Sequence, residues 1–95
     1  NAQQDVEIRM LVEAKTEATQ LIYLTERFLE KNFEMLNEDE IAGTKHRIEN
    51  LRISIATNDK NSVLANNEAL NEFTAPFAER LMDLAIAKAM KGKQI

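Results

Sequence analysis

Residues 3–35 read QQDVEIRMLVEAKTEATQLIYLTERFLEKNFEM, and neither glycine nor proline interrupts them. Small and apolar residues recur along this stretch at alternating spacings of three and four, the period of one face of an α-helix. The pattern predicts one long amphipathic helix over residues 3–36. Its stripe consists of Leu11, Ala14, Ala18, Leu21, Thr25 and Phe28, and its second half adds Ile22, Leu24, Leu29, Phe33 and Leu36.

A second helix is predicted to begin directly after the first. Asn37 offers a side chain that can cap a helix, and Glu40 stands three residues later, as in a capping box. We therefore expect helix two to begin at Glu38 and to run to about Thr57. The residues expected on its buried face are Ile41, Thr44, Ile48, Leu51 and Ile55.

Asp59 follows a short polar turn and is the expected N-cap of a third helix. Asn67 falls on the inward face of that helix and needs a hydrogen-bond partner there. The apolar residues expected on the same face are Val63, Leu70, Phe73 and Phe77.

Pro76 is expected to break this helix. Proline has no amide to donate to the carbonyl of Glu72, and its ring crowds that carbonyl. We expect helix three to end near residues 74–75 and a fourth helix to follow. Its inward residues would be Phe77, Leu81 and Leu84, with Gly92 just past its end and residues 93–95 frayed.

The predicted fold is all-α, a small antiparallel helical bundle in one domain. Residues 37–95 complete it with helices two to four, and residues 1–2 are expected to be a tag remnant. At 1.5 Å per residue, helix one spans roughly 50 Å and helix two about 30 Å, so the N-terminal half of helix one should overhang. The overhanging strip, Met10, Leu11, Ala14 and Ala18, is the predicted contact face for another domain or chain, unless a reversed helix four covers it.

The composition argues against most site chemistry in this chain. It has no cysteine, so it offers no disulfide or thiolate metal site and suits a reducing cytoplasm. A net charge of −4 argues against nucleic-acid binding, and no apolar run reaches the ~20 residues that span a membrane. No glycine-rich loop or nucleophile motif is present, so we expect no catalytic or cofactor site.

No metal site is expected either. His46 is the single histidine and has no cluster of ligands around it in the sequence, so we interpret it as a surface residue. The acidic residues of helix one are interpreted as a hydrated face rather than a metal site. They are Asp5, Glu7, Glu13 and Glu17.

Two blocks of residues carry a resemblance to a known family. The first is Asp5 with Arg9-Met10-Leu11, Glu13, Lys15 and Glu17-Ala18; the second is Phe77-Ala78-Glu79-Arg80 with Met82-Asp83 and Ala89-Met90-Lys91-Gly92. The blocks and their separation resemble the DnaK-type heat-shock chaperones, and within them the HscA branch. Between the blocks, only the order of helices and turns is similar.

The resemblance implies a helical lid that closes over a β-sandwich peptide-binding domain, controlled by an ATPase domain further upstream that binds ATP. It also implies client proteins, a J-type co-chaperone and an iron–sulfur scaffold protein as partners. No residue of helix one matches the polar latch of some family members, so Met10 and Leu11 are the expected covering face. The isolated chain could also dimerise through this face.

Two other hypotheses stay open from the residues alone. An independent helical interaction module would form a fully covered, compact monomer with one persistent groove. An enzyme subunit would require a cluster of titratable residues, which the sequence lacks.

Overall fold

The computed structural model describes residues 2–92, and nearly all of them are helical. Helix α1 spans Ala2–Asn32, a short 3₁₀ helix spans Phe33–Met35, α2 spans Glu38–Thr57 and α3 spans Lys60–Gly92. The all-α prediction is confirmed. The expected fraying of residues 93–95 and half of the expected tag remnant, Asn1, lie outside the described residues.

Local capping chemistry sets both ends of α2. The Oδ1 atom of Asn37 accepts a hydrogen bond from the Glu40 amide at 2.8 Å, and the Oε1 atom of Glu40 accepts one from the Asn37 amide at 3.0 Å. This is the predicted capping box, and α2 begins at Glu38 as expected. At the other end, Asn58 adopts the left-handed conformation with φ 60°, which asparagine tolerates better than most residues.

The predicted start of the third helix is also confirmed. The Oδ1 atom of Asp59 accepts a hydrogen bond from the Asn61 amide at 3.1 Å, and the Asp59 carbonyl accepts one from the Val63 amide at 3.0 Å. Asp59 therefore acts as the N-cap of α3, because it satisfies a backbone donor that the first turn leaves free.

The predicted break at Pro76 is wrong, because α3 continues through it as one helix of 33 residues. Glu72 and Pro76 both lie on the exposed side, where water can hydrogen-bond to the carbonyl that proline leaves unpaired. The rings of Phe73 and Phe77 also pack edge-to-face across the proline, with centroids 5.2 Å apart. This contact between side chains on the inward face of α3 therefore spans the position where the backbone hydrogen bond is missing. Leu84, expected inward, is exposed.

The two long helices extend past α2 at opposite ends. Lys15 donates a hydrogen bond to Oδ1 of Asn58, so α1 passes the C-terminal end of α2 close to this level. Arg80 pairs with Glu40, so α3 residues after it lie beyond the N-terminal end of α2. We call residues 2–12 the N-terminal arm and residues 82–92 the C-terminal arm.

These arms make the molecule elongated. It measures 66 × 27 × 17 Å and has a radius of gyration of 17.1 Å. A compact domain of this length has a radius of gyration of ~12 Å. The core is therefore confined to the middle, where all three helices overlap. Its buried apolar residues are Ala14, Ala18, Ile22, Leu29, Leu36, Ile48, Leu51, Val63 and Leu70.

Polar residues also enter this core. Thr25, Thr44 and Ser54 are buried, and the hydroxyls of Thr44 and Ser54 donate to carbonyls one turn earlier on α2. Within residues 2–92, the Oδ1 atom of Asn67 is buried and accepts no hydrogen bond, so its expected partner is not found. Leu24 on α1 and Phe33 on the 3₁₀ helix were expected to pack inward, but both are exposed.

Gly43 allows α2 and α3 to approach closely. A Cβ atom at this position would overlap Cζ of Phe73, because it would lie closer to it than two non-bonded carbon atoms can come. The guanidinium of Arg47 lies 3.8 Å from the centroid of the same ring and donates to the Gly43 carbonyl at 3.1 Å. The Phe73 ring is thus held between the backbone of Gly43 and the Arg47 side chain.

Replacing Gly43 with alanine should destabilise the fold. The alanine gains ~1 kcal/mol of helix propensity, but moving the Phe73 ring costs roughly 1–3 kcal/mol, so we expect a net loss of about 1 kcal/mol. Urea unfolding followed by circular dichroism measures the change. In a Phe73→Leu background the same substitution should become stabilising; a loss that persists there would contradict the steric explanation.

Candidate interaction surfaces

The N-terminal arm exposes large apolar side chains to solvent. Val6 and Met10 lie four residues apart on one side of the helix, and Ile8 and Val12 lie four apart on another. Met10 is 44% exposed and Ile8 is 61% exposed. A helix end with exposed apolar residues on two sides is typical of a surface that contacts another domain or protein.

The structure divides the four residues that the sequence suggested as a contact face. Met10 lies on the arm and is exposed, and Leu11 is half-buried near Asn58 and Lys60 at the start of α3. Ala14 and Ala18 belong to the core, and Ala18 has no exposed surface. The whole strip was expected to be exposed on the overhang. Ala14 and Ala18 are instead covered by α2 and α3. The alternative of a reversed helix four is not found within residues 2–92, because α3 continues through Pro76 as one helix.

The C-terminal arm is the second exposed apolar segment. Residues 82–91 are all exposed, and their apolar side chains point in several directions around the helix. The large ones are Met82, Leu84, Ile86 and Met90. All four methionines of the chain are exposed.

A shallow groove runs between α1 and α2 on the side away from α3. It encloses about 820 Å³. Phe33 and Ile41 contribute apolar surface to it, and charged side chains of both signs form its walls. Two of these, Glu26 and Arg52, form an ion pair of 2.7 Å across the groove. The pair is half-exposed on both sides and therefore adds little stability.

Arg80 connects three elements of the bundle. Its Nη1 atom donates to Oε2 of Glu40 at 2.8 Å, and its Nη2 atom donates to Oε1 of Glu40 at 2.9 Å and to the carbonyl of Met35 at 3.3 Å. Its guanidinium also lies 5.7 Å from the ring centroid of Phe77. Such a two-pronged contact with a carboxylate fixes both distance and orientation. Arg80 therefore ties α3 to the start of α2 and to the 3₁₀ helix.

This contact changes the acidity of Glu40. The hydrogen bond from Arg80, helped by the backbone amide of Asn37, lowers the pKa of Glu40 from 4.5 to about 2. The same hydrogen bond raises the pKa of Arg80. Glu40 therefore serves the capping box and the interhelical ion pair at once, and both interactions favour its ionised form.

The described residues contain no group of three or more histidine, cysteine, aspartate or glutamate side chains close enough to hold a metal ion. The helices described here also lack any segment long and apolar enough to cross a membrane. His46 lies exposed on α2, as expected for a surface histidine. The four acidic residues considered on α1, Asp5, Glu7, Glu13 and Glu17, are likewise exposed.

Two features of these surfaces lie outside the predicted stripe that packs in the bundle. The exposed pairs Val6–Met10 and Ile8–Val12 lie on the flanks of the arm, and their spacing of four is visible in the sequence. The pairing of Glu40 with Arg80 spans 40 positions along the chain, and no local pattern signals it.

Comparison with known proteins gives a consistent set of relatives. A family model described as "Hsp70 protein" matches residues 1–83. The chain is 35% identical, over all 95 residues, to the chaperone protein HscA of Photorhabdus laumondii, and 34% identical over 94 residues to the chaperone protein HscA homolog of Delftia acidovorans. The homolog from Variovorax paradoxus is 32% identical over 94 residues.

These matches cover 99–100% of the chain but only 15% of each relative. The chain therefore corresponds to a small part of those proteins. No solved structure matches it significantly.

The low pKa of Glu40 predicts an acid-sensitive contribution to stability. Its folded-state pKa lies below the ordinary value of 4.5, so this contribution is present above pH 4.5 and is lost as the pH falls towards about 2. Urea unfolding at several pH values between about 2 and 6 should show a steeper loss for the natural chain than for Glu40→Gln. Glu49→Gln removes an equal charge from the exposed side of α2 and should retain the steep loss. Equal slopes for the natural chain and Glu40→Gln would contradict the assignment.

Proposed function

The chain belongs to the Hsp70 family, and we propose that it is the helical lid of the substrate-binding region of an ATP-dependent chaperone of the HscA type. In this role it closes over bound client protein and performs no chemistry itself. The parent protein would assist the maturation of iron–sulfur proteins in the cytoplasm, as the resemblance to the HscA branch implies.

The observation that carries the proposal is the N-terminal arm. It projects beyond α2 by eleven residues of helix, roughly 17 Å at 1.5 Å per residue. Its exposed apolar side chains are concentrated at the end that would be joined to an upstream domain. A lid needs such an arm, because its covering surface must reach past its own folded body to the surface of another domain.

The part of α1 next to the N-terminal arm, residues 14–18, packs tightly in the bundle and therefore fixes the direction of the arm. Ala14 and Ala18 are small, so α2 and α3 pack close against α1 at this level. The contact between Lys15 and Asn58 adds a polar connection where the arm leaves the bundle. Because the same helix continues from the packed base into the arm, movement of the bundle would be transmitted to the covering surface.

We propose that Met10 and Leu11 are the main covering residues, with Val6 beside Met10. Ala14 and Ala18 support this surface from within the core and do not touch the client or the upstream domain directly. The arm also carries Asp5 and Arg9, so its contact surface would be partly polar. A contact of this size and polarity should be worth a few kcal/mol, which allows the lid to close and to open again.

The other partners follow from the proposed parent protein. ATP would bind to an upstream ATPase domain, and the lid would pack on a β-sandwich peptide-binding domain. A J-type co-chaperone and an iron–sulfur scaffold protein are the proposed further partners. The isolated chain would dimerise through its exposed N-terminal arm when no upstream domain covers it.

The alternative of an independent interaction module fits the shape less well. That hypothesis requires a compact monomer whose apolar surface is covered apart from one groove. The shallow groove between α1 and α2 is present, but both ends of the molecule also expose large apolar residues. The elongated shape of the bundle instead favours the hypothesis that the chain is one part of a larger protein and packs on a neighbouring domain.

A chimeric chaperone tests the proposed covering face. Residues 2–92 would replace the matching portion of the Photorhabdus laumondii relative, and release of a fluorescent peptide would be timed by stopped flow. The chimera should release peptide more slowly than the relative lacking that portion. Met10→Asp should remove ~1–2 kcal/mol of contact and speed release roughly 5- to 30-fold.

Met82→Asp provides the control, because it places the same charge on an exposed methionine at the opposite end of the molecule. It should leave the release rate unchanged. Equal effects of the two substitutions would reject Met10 as a covering residue. A chimera that releases peptide as fast as the truncated relative would reject the lid role itself.

A further inference from the structure

Helix α3 is continuous at a place where its own sequence opposes continuity. Pro76 has no amide, so the carbonyl of Glu72 lacks its helical hydrogen bond. Two residues earlier, the hydroxyl of Thr74 donates to the carbonyls of Leu70 and Asn71, at 3.0 and 3.4 Å. Such back-bonding by threonine tends to bend a helix. Residues 72–76 therefore carry two local features that weaken or bend α3, and contacts outside α3 can offset them.

The contacts available beyond Pro76 are few. Phe77 and Leu81 are half-buried against the core, and Arg80 binds Glu40 and the carbonyl of Met35. From residue 82 to residue 91 every side chain is exposed. The direction of the C-terminal arm is therefore set within one turn and a half of helix, between Phe77 and Leu81.

Among these three residues, Arg80 makes directional contacts with other elements, namely hydrogen bonds to Glu40 and to the Met35 carbonyl. Apolar packing of Phe77 and Leu81 attracts without fixing an angle, since it depends mainly on the area removed from water. The two parallel hydrogen bonds from Arg80 to Glu40 fix the guanidinium plane relative to the start of α2. Glu40 is itself held by the capping box with Asn37. The anchor is therefore rigid on both sides.

We propose that Arg80 is a clasp that keeps α3 straight across Pro76, and that loss of its contact with Glu40 turns Pro76 into a hinge. In the clasped state, the C-terminal arm continues the line of α3 away from the bundle. In the unclasped state, the helix opens at residues 74–76 and the arm changes direction. Because the arm carries Met82, Leu84, Ile86 and Met90, its direction decides where this apolar surface is presented.

The device is independent of the proposed lid role. It concerns the opposite end of the molecule from the N-terminal arm, and it follows from contacts within residues 35–81. It also explains why a sequence with a mid-helix proline folds as one helix: the structural cost at Pro76 is local, and the contact that offsets it comes from 40 positions earlier in the chain.

Distance measurement by pulsed electron spin resonance tests the clasp. The chain has no cysteine, so single cysteines placed at the exposed positions Asn61 and Lys88 label only those sites. In a straight helix, 27 residues separate the two backbone positions by ~40 Å. The natural residue at position 80 should give one narrow distribution near that distance, and Arg80→Gln should give a broad distribution extending to shorter distances.

Two further variants make the result specific. Arg52→Gln breaks an exposed ion pair between α1 and α2 without touching α3, and should keep the narrow distribution. Adding Pro76→Ala to Arg80→Gln restores the missing backbone donor, and should bring the narrow distribution back.

The proposal is overturned if Arg80→Gln keeps the narrow distribution, or if Pro76→Ala fails to restore it. Circular dichroism of each variant should show a helical content within a few per cent of the natural chain's, roughly the loss of one turn. General unfolding of Arg80→Gln would also overturn the proposal, because Arg80 would then hold the whole bundle rather than the arm.

Discussion

The short length of α2 is the constraint on which the rest of the structure depends. It has 20 residues, whereas α1 has 31 and α3 has 33, so it spans ~30 Å between neighbours of nearly 50 Å. Both turns are tight, and the three helices can overlap only along the length of the shortest. The core therefore lies in the middle, and each long helix must leave it at one end. The two exposed arms are a direct consequence of this mismatch.

The two ends of α2 then decide how firmly each arm is held. At the C-terminal end of α2, the arm of α1 leaves beside Ala14 and Ala18, where small side chains bring the helices close together. At the N-terminal end, the arm of α3 leaves beside the ion pair of Glu40 and Arg80. The N-terminal arm is thus held at its base by close packing, and the C-terminal arm is held at its base by an ion pair. Packing resists changes of pH and salt better than an exposed ion pair does, so the two arms differ in how solution conditions act on them.

A structural feature could be predicted from the sequence when the residues that determine it lie close together along the chain. Asn37 with Glu40, and Asp59 with the amide of Asn61, act over two or three residues, and these helix boundaries were found correctly. The face of α2 was also found, because its period is unbroken. Pro76 was misjudged since its effect depends on which side of α3 it occupies and on Arg80, which acts through a partner far away in the sequence. The local sequence reveals the backbone hydrogen bond that Pro76 removes, but it does not reveal the tertiary contacts around the proline.

The start of the exposed contact face on α1 could not be predicted from the local sequence either. Met10, Leu11, Ala14 and Ala18 share one side of α1, and periodicity alone cannot tell at which residue an overhang begins. That point is set by where α2 ends, which is fixed by the left-handed turn at Asn58 and by its contact with Lys15. One more helical turn in α2 would shorten the N-terminal arm by about 5 Å. The reach of the proposed lid is therefore determined by the length of a helix that has no part in the covering surface.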